Sequence, residues 1–517
     1  MIEGGHLFKE SQITPFSFEW IFLGGIRSFH KMIRICRIRF LDYNLLFYIM
    51  LTVLLLSCGS KEVPDPDISG VWESPESGWV FHIEQDSSYS FYHKNALSCI
   101  LYRKGPFADF GEAVEVLGDT LFLKKGVLSY RFLRGSVLPG DCGKALPVEK
   151  ASDPMYNFEV FAQTIADHYA FMELNGIDWP TLYKQQRSKL STDPTEFRLY
   201  EILEETLELL NDNHGYLEAG ASFYERLEAN NPPAEPAMDQ TLLKEYGDFE
   251  VANIVSEVYL SEEMTKESSL VRWGMLDAHT GYVQIKTMWL FADLDIPESR
   301  IEQLGYVEAY VEAFHALDEG RYIDMEVAGI RKIMERIMAD LTPSDRIVLD
   351  IRFNGGGQDA VSFEILRHFN NQRRKVALEK LKGPEGFSPI QELWLGTSER
   401  PYVKPVYLLI SPQTGSAAET MALASQSLPH IRRIGSNSSG ALSTALEKEL
   451  PNGWAFALSN EYFMDTAGVL YENKGIPVDY DLHYPRGRQA FFRQVAQAPD
   501  ADLQAVRGAL EKFREQD

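Results

Sequence analysis

Two apolar runs, each breaking into a small-residue turn and then a helix, constrain this chain more than any other feature. The first reads IVLDIRFNGGG, from Ile347 to Gly357, and the second reads VYLLISPQTGSAAETMALA, from Val406 to Ala424. Both have the composition of a buried strand followed by a turn. Ser416 stands between Gly415 and Ala417 in the second turn. A serine at a strand-to-helix turn exposes its hydroxyl at the rim of a sheet, beside the free amides of the helix's first turn. The glycines of the first turn let backbone approach a substrate closely, because no Cβ intervenes. Taken singly, NGGG is an ordinary flexible turn and a serine before Ala-Ala-Glu an ordinary helix N-cap. Together, in this order, they point to a nucleophile with an oxyanion hole made by the Ala417 amide and that of Gly356 or Gly357, with Asn354 fixing the glycine turn. Asp350 and Arg352, at the strand end, are expected to pair structurally.

Four ordered segments then resemble the C-terminal-processing (tail-specific) serine peptidases, in the branch that holds tricorn protease and the interphotoreceptor retinoid-binding protein. LDIRFNGGG is similar to the family's Leu-Asp-Leu-Arg-x-Asn-x-Gly-Gly, and TGSAAE to its Thr-x-Ser-Ala-x-Glu. YENKGIPVDY, Tyr471 to Tyr480, is similar to the late Glu-x-x-Gly-Ile-x-Pro-Asp segment, and LLNDNHGYL, Leu209 to Leu217, to Leu-x-Asp-x-His. The resemblance spans Met155 to Tyr484 and implies a crotonase-like spiral of ββα units.

A serine hydroxyl needs a base at neutral pH. The main branch of the family takes a lysine from a Gly-x-x-Thr-x-Gly-Lys-Gly segment. Here that segment reads GSNSSGALS, Gly435 to Ser443, and Ala441 stands at the lysine position. Lys448 and Lys474 are the nearby alternatives, and both read as solvated surface lysines. The tricorn-like branch instead implies a histidine from the helical region and a glutamate from the late segment, which fall on His214 and Glu472. An imidazole can take the hydroxyl proton and return it to the leaving amine, while a carboxylate orients the imidazole or the network around it. The serine that precedes the histidine in the tricorn pattern is here Asn213, an amide that can still hydrogen-bond.

Upstream, Leu45 to Leu56 is an apolar run too short for a membrane span. Arg34, Arg37 and Arg39 precede it and Leu55-Leu56-Ser57-Cys58 closes it. The pattern resembles a bacterial lipoprotein signal, with lipid attached at Cys58 and Met32 as an alternative start after residues 1–31. An extracytoplasmic chain is then expected, periplasmic or on the outer surface, in an oxidising compartment where Cys99 and Cys142 are candidates for a disulfide or for two buried thiols. The net charge of −25 argues against nucleic acid as a partner. No zinc spacing, P-loop or dinucleotide fingerprint is read, so neither a metal nor a cofactor is expected.

The organisation read from the chain is α+β and multidomain. Residues 1–57 are the signal, 58–67 a tether, and 68–142 a small all-β, lipocalin-like module with a Gly118-Asp119 hairpin. Residues 155–228 are a helical region, in which Phe158, Phe161, Ile165, Tyr169 and Met172 recur at helical spacing. A Pro-rich break follows at Ala229 to Gln240, then an α/β catalytic core at 241–490 and a C-terminal helix at 500–517. No PDZ module is read. The expected function is a lipid-anchored serine peptidase acting on peptides or unfolded polypeptides. A second reading keeps the cleft but not the chemistry: a catalytically silent lipoprotein binding a hydrophobic ligand or peptide. A third gives the activity to the β-module, as a partner-binding surface.

Overall fold

The computed structural model describes residues 67–515 except 112, 231–243, 267, 316 and 318, with no side chains described at 319 and 320. The signal segment, Cys58 and most of the tether lie outside the described residues, as do positions 231–240 of the Pro-rich break. Its first two residues close a helix, Ala221–Asn230. Among the described residues no helix is long and apolar enough to cross a membrane.

The β-module is a seven-stranded antiparallel sheet. Its spatial order runs Cys99–Pro106, Ser88–Lys94, Trp79–Ile83, Gly70–Ser74, Leu128–Gly135, Thr120–Lys125, Ala113–Leu117. Gly118-Asp119 forms the expected tight hairpin, with Gly118 at φ +63°. The two outermost strands do not pair with each other, so the sheet stays open rather than closing into a barrel. Trp72, Trp79, Phe81, Phe91, Phe110 and Phe132 fill one face. On the other face the chain after Gly135 folds back, and Cys142 is bonded to Cys99 beside Val71, Val80 and Tyr92. The bridge closes a sequence separation of 43 residues. A loop of this size gives about 2–4 kcal/mol in the chain-entropy picture. The Cys99→Ser, Cys142→Ser double variant is therefore expected to unfold at lower denaturant than wild type, by that amount in an equilibrium titration.

The helical region holds Pro154–His168, Trp179–Thr192 and Glu196–Leu210, opened by Asp153, Asp178 and Thr195, whose side chains accept first-turn amides. Phe158, Phe161, Ile165 and Tyr169 are buried, as their spacing predicts.

The region 241–490, expected as the α/β core, is built on a second seven-stranded sheet. Its order is Tyr480–Asp481, Ile431–Gly435, Val406–Ile410, Arg346–Asp350, Thr280–Ile285, Val271–Asp277, Glu262–Glu263. The first five are parallel. Parallel strands are covered on both faces, which is why VYLLI is apolar throughout and wholly buried. Between Thr280–Ile285 and Arg346–Asp350 two short helices, Glu298–Leu304 and Tyr306–His315, meet at Gly305 with φ +84°. WAFALSNEYF is two strands, Ala455–Ser459 and Glu461–Met464, that join different small sheets on either side of Asn460.

Beneath the sheet Arg352 is fully buried and pairs with Asp350 and Asp502, each at 2.7 Å, while its guanidinium also donates to the Tyr484 hydroxyl at 2.7 Å. A buried cation is tolerated only when paired in this way. Asp502 lies on the C-terminal helix Pro499–Arg514, so the cluster fastens that helix to the core.

The module does not stand apart from the core: the described residues from Asp67 onward form one compact unit. Asn95 Nδ2 donates to Val160 O at 2.9 Å, and the Tyr130 hydroxyl donates to Glu461 at 2.8 Å. Lys448, expected at the surface, is buried at this junction. Its ammonium donates to Ser77 O and, at 3.1 Å, to Gly78 O, and burial pushes its pKa well below the usual lysine range. The reason is strand alternation: Leu446 and Lys448 share the inward face of Ala445–Glu449, which the module covers. Lys474 is exposed.

Candidate active site

The strands Arg346–Asp350 and Val406–Ile410 are adjacent and parallel, so their C-terminal ends bring both turns to one rim. Asn354 stitches the turns together. Its carbonyl accepts the Gly415 amide at 3.1 Å, its Oδ1 accepts the Gly356 amide at 2.9 Å, and its Nδ2 donates to Ile285 O at 3.2 Å. A Cβ placed on Gly356 would lie 2.7 Å from Ser416 Cβ, and Gly356 has φ +116°, so only glycine fits there.

Ser416 adopts φ +49°, ψ −125°, a conformation that residues with a Cβ rarely hold. Its amide donates to Ala441 O at 3.0 Å. It occupies the N-cap position of the helix Ala417–Ser425, yet its side chain makes no capping bond. Instead Ser416 Oγ lies 3.3 Å from His214 Nε2. Among the described residues the amides of Ala417 and Gly357 have no acceptor, whereas that of Gly356 is engaged by Asn354.

His214 reaches the serine because the helix Glu196–Leu210 ends on Asn211 in the left-handed conformation, φ +51°. Asp212 then accepts the His214 amide at 3.1 Å, the Ser459 amide at 2.7 Å and the Ser459 hydroxyl at 2.5 Å. Burial lowers the His214 pKa, with Asp212 opposing, so the ring is neutral at neutral pH. Its Nδ1 has no partner among the described residues.

Glu472 does not hydrogen-bond the imidazole. Its Oε2 accepts the amides of Leu442 at 2.9 Å and Ser443 at 3.3 Å, and its Oε1 meets Asn213 Nδ2 at 3.5 Å. Asn213 Nδ2 also donates to Gly440 O at 3.1 Å. A second carboxylate, to which the sequence reading gave no role, does parallel work. Glu419 accepts the Ser438 hydroxyl at 2.6 Å and the amides of Gly440 and Ala441, both at 2.7 Å. The loop Ser438–Ser443, whose Ala441 carbonyl holds the Ser416 amide, thus hangs on two buried carboxyls. Both Glu419 and Asp212 lie inside the segments that carried the resemblance, three residues after the serine and two before the histidine. Their polar neighbours are distant in sequence and left no local signal.

Burial raises the Glu472 pKa to about 8, opposed by the loop amides and reinforced by Glu419, and raises that of Glu419 to about 7. A carboxyl raised above its unfolded value binds more protons in the folded state. It therefore contributes stability that is complete below about pH 4.5 and is lost as pH rises through 7–8. These two carboxyls make stability fall between pH 5 and 8, against the buried imidazoles of His93, His168 and His214, whose lowered pKa values act in the opposite sense. Glu472→Gln should lose less than wild type over the same range, by roughly 1–5 kcal/mol, as measured by denaturant titration at each pH. Identical pH slopes would contradict these positions for the two carboxyls.

Residues 279–482 match the model of peptidase family S41, a span that includes Gly356, Ser416 and Glu472. No curated protein matches the chain. Among solved structures, a candidate peptidase from Parabacteroides merdae is 18% identical, covering 67% of this chain and 97% of its own, with a TM-score of 0.48. Mature CPAF complexed with lactacystin is 10% identical, covering 71% and 100%, with a TM-score of 0.48. The photosystem II D1 C-terminal processing protease is 14% identical, covering 66% and 96%, with a TM-score of 0.38. The family match thus covers residues 279–482, and members of peptidase family S41 are serine peptidases.

Proposed function

We propose that this protein hydrolyses peptide bonds in peptides or unfolded polypeptides with Ser416 as nucleophile and His214 as base. The observation that carries this reading is the 3.3 Å approach of His214 Nε2 to a serine hydroxyl that leaves its helix uncapped. In the proposed reaction His214 takes the Oγ proton as Oγ bonds to the scissile carbonyl carbon. The carbonyl oxygen becomes an oxyanion facing the Ala417 amide and the glycine turn, with Gly357 the glycine whose amide is unengaged. Collapse breaks the C–N bond, and the imidazolium gives its proton to the leaving amine. Water then cleaves the acyl-enzyme by the reverse transfers. Glu472 and Glu419, with Asn213, act as positioning residues for the loop that holds the Ser416 amide.

We place the protein outside the cytoplasm, tethered through lipid on Cys58. The Cys99–Cys142 bridge supports an oxidising compartment. Incubation with an unstructured polypeptide, followed by mass spectrometry of the new termini, tests the activity. Cleavage that stops in Ser416→Ala supports it. Peptide binding without cleavage would favour the silent-cleft reading instead.

A further inference from the structure

A cavity of about 550 Å³ opens where the β-module meets the catalytic core. Trp79, Phe91 and Tyr130 line it from the module, Phe314 and Tyr322 from the helices that follow the core's first strands, and Leu446 from the core. Its charged lining residues are of both signs, Lys125 and Arg103 with Glu447 and Glu461, which gives no net preference for an ion.

Two short stretches tie this cavity to the nucleophile. Gln358, on its wall, stands two residues after Gly356, which packs on Ser416. Ala445, also on its wall, stands four residues after Ala441, whose carbonyl accepts the Ser416 amide. At about 3.3–3.6 Å per residue, the cavity begins within roughly 7–14 Å of Gly356 and Ala441, the two residues that hold the serine, a span of two to four residues of an extended substrate.

The core also offers backbone there. Among the described residues Ala445–Glu449 pairs as a strand only with Ala455–Ser459, which leaves its other edge open. The Glu449 amide donates to His93 Nδ1 of the module at 3.1 Å, so it points out of that open edge. Strand periodicity then turns the backbone groups of Glu447 and Ala445 the same way, and both residues line the cavity. An open strand edge beside a pocket is the arrangement by which an added peptide strand gains main-chain bonds while the pocket selects a side chain.

We propose that this cavity is a specificity subsite for the substrate. The polypeptide lies as an extra strand along Ala445 and Glu447 and places a bulky aromatic or aliphatic side chain against Trp79, Phe91 and Leu446. The β-module thereby becomes a wall of the substrate site. The proposal deepens the peptidase reading and rests on it for the identity of the ligand.

The test uses binding rather than turnover, so that its failure is separable from failure of the peptidase reading. Full-length Ser416→Ala protein is titrated by fluorescence anisotropy with unstructured Gly/Ser/Ala peptides carrying one phenylalanine at successive positions. One position is expected to tighten binding about tenfold or more over the all-alanine peptide, in line with burial of a large apolar side chain. Adding Ala445→Trp, at an exposed position on the cavity wall, should fill the site and remove that preference, with circular dichroism showing a folded chain. A flat scan, or a preference that survives Ala445→Trp, would overturn the subsite. Absence of cleavage by wild type would instead count against the peptidase reading alone.

Discussion

Ser416→Ala is expected to lower peptide hydrolysis by about 10⁴–10⁶-fold, the scale on which loss of a nucleophile acts in serine hydrolases. The expectation follows from three features of the residue. Its backbone sits at φ +49°, a conformation that costs energy and persists where the surroundings enforce it. Those surroundings are the Ala441 carbonyl on its amide and Gly356 packed against its Cβ. Its hydroxyl faces His214 instead of capping the helix. Since the side chain makes no cap, the alanine variant should keep wild-type stability to within about 0.5 kcal/mol, a surface-like effect. Loss of activity with unchanged denaturant midpoint separates a chemical role from a structural one.

His214→Ala is expected to cost about 10³–10⁶-fold in kcat, since nucleophile and base act as a unit. The ring lies against the hydroxyl, and burial holds its pKa below 6.5, so it is unprotonated and able to accept the Oγ proton at neutral pH. Activity should fall on the acid side, below pH 6.5, as the imidazole protonates. The residual activity of His214→Ala should lack that acid limb. Lys448 cannot substitute, because its ammonium is enclosed under the β-module on the carbonyls of Ser77 and Gly78. A His214→Ala enzyme with full activity would remove the imidazole from the mechanism.

What the sequence made legible was local. Apolar runs marked the parallel strands Arg346–Asp350 and Val406–Ile410, because strands covered on both faces carry no polar alternation. Ser416 and the glycine turn were legible for the same reason, as small residues at strand ends. His214 and Glu472 came only through resemblance, since the bonds that define their roles span 202 and 30 residues. Glu472 was expected to orient the imidazole or the network around it; its bonds go to the loop amides, which periodicity does not encode. Lys448 misled because a charged residue reads as exposed. Only the docking of the module, through contacts 370 residues away in sequence, makes it a buried one. The open edge of Ala445–Glu449 was invisible until its single pairing was known.

The central claim is that Ser416 is a nucleophile activated by His214. Covalent labelling of the intact protein with a fluorophosphonate, mapped by peptide mass spectrometry, tests it most directly. The account predicts one adduct, on Ser416, absent in Ser416→Ala and formed far more slowly in His214→Ala, while Lys474→Ala labels at the wild-type rate. No adduct on the folded wild-type protein, or an adduct on another serine at the same rate in all variants, would contradict it.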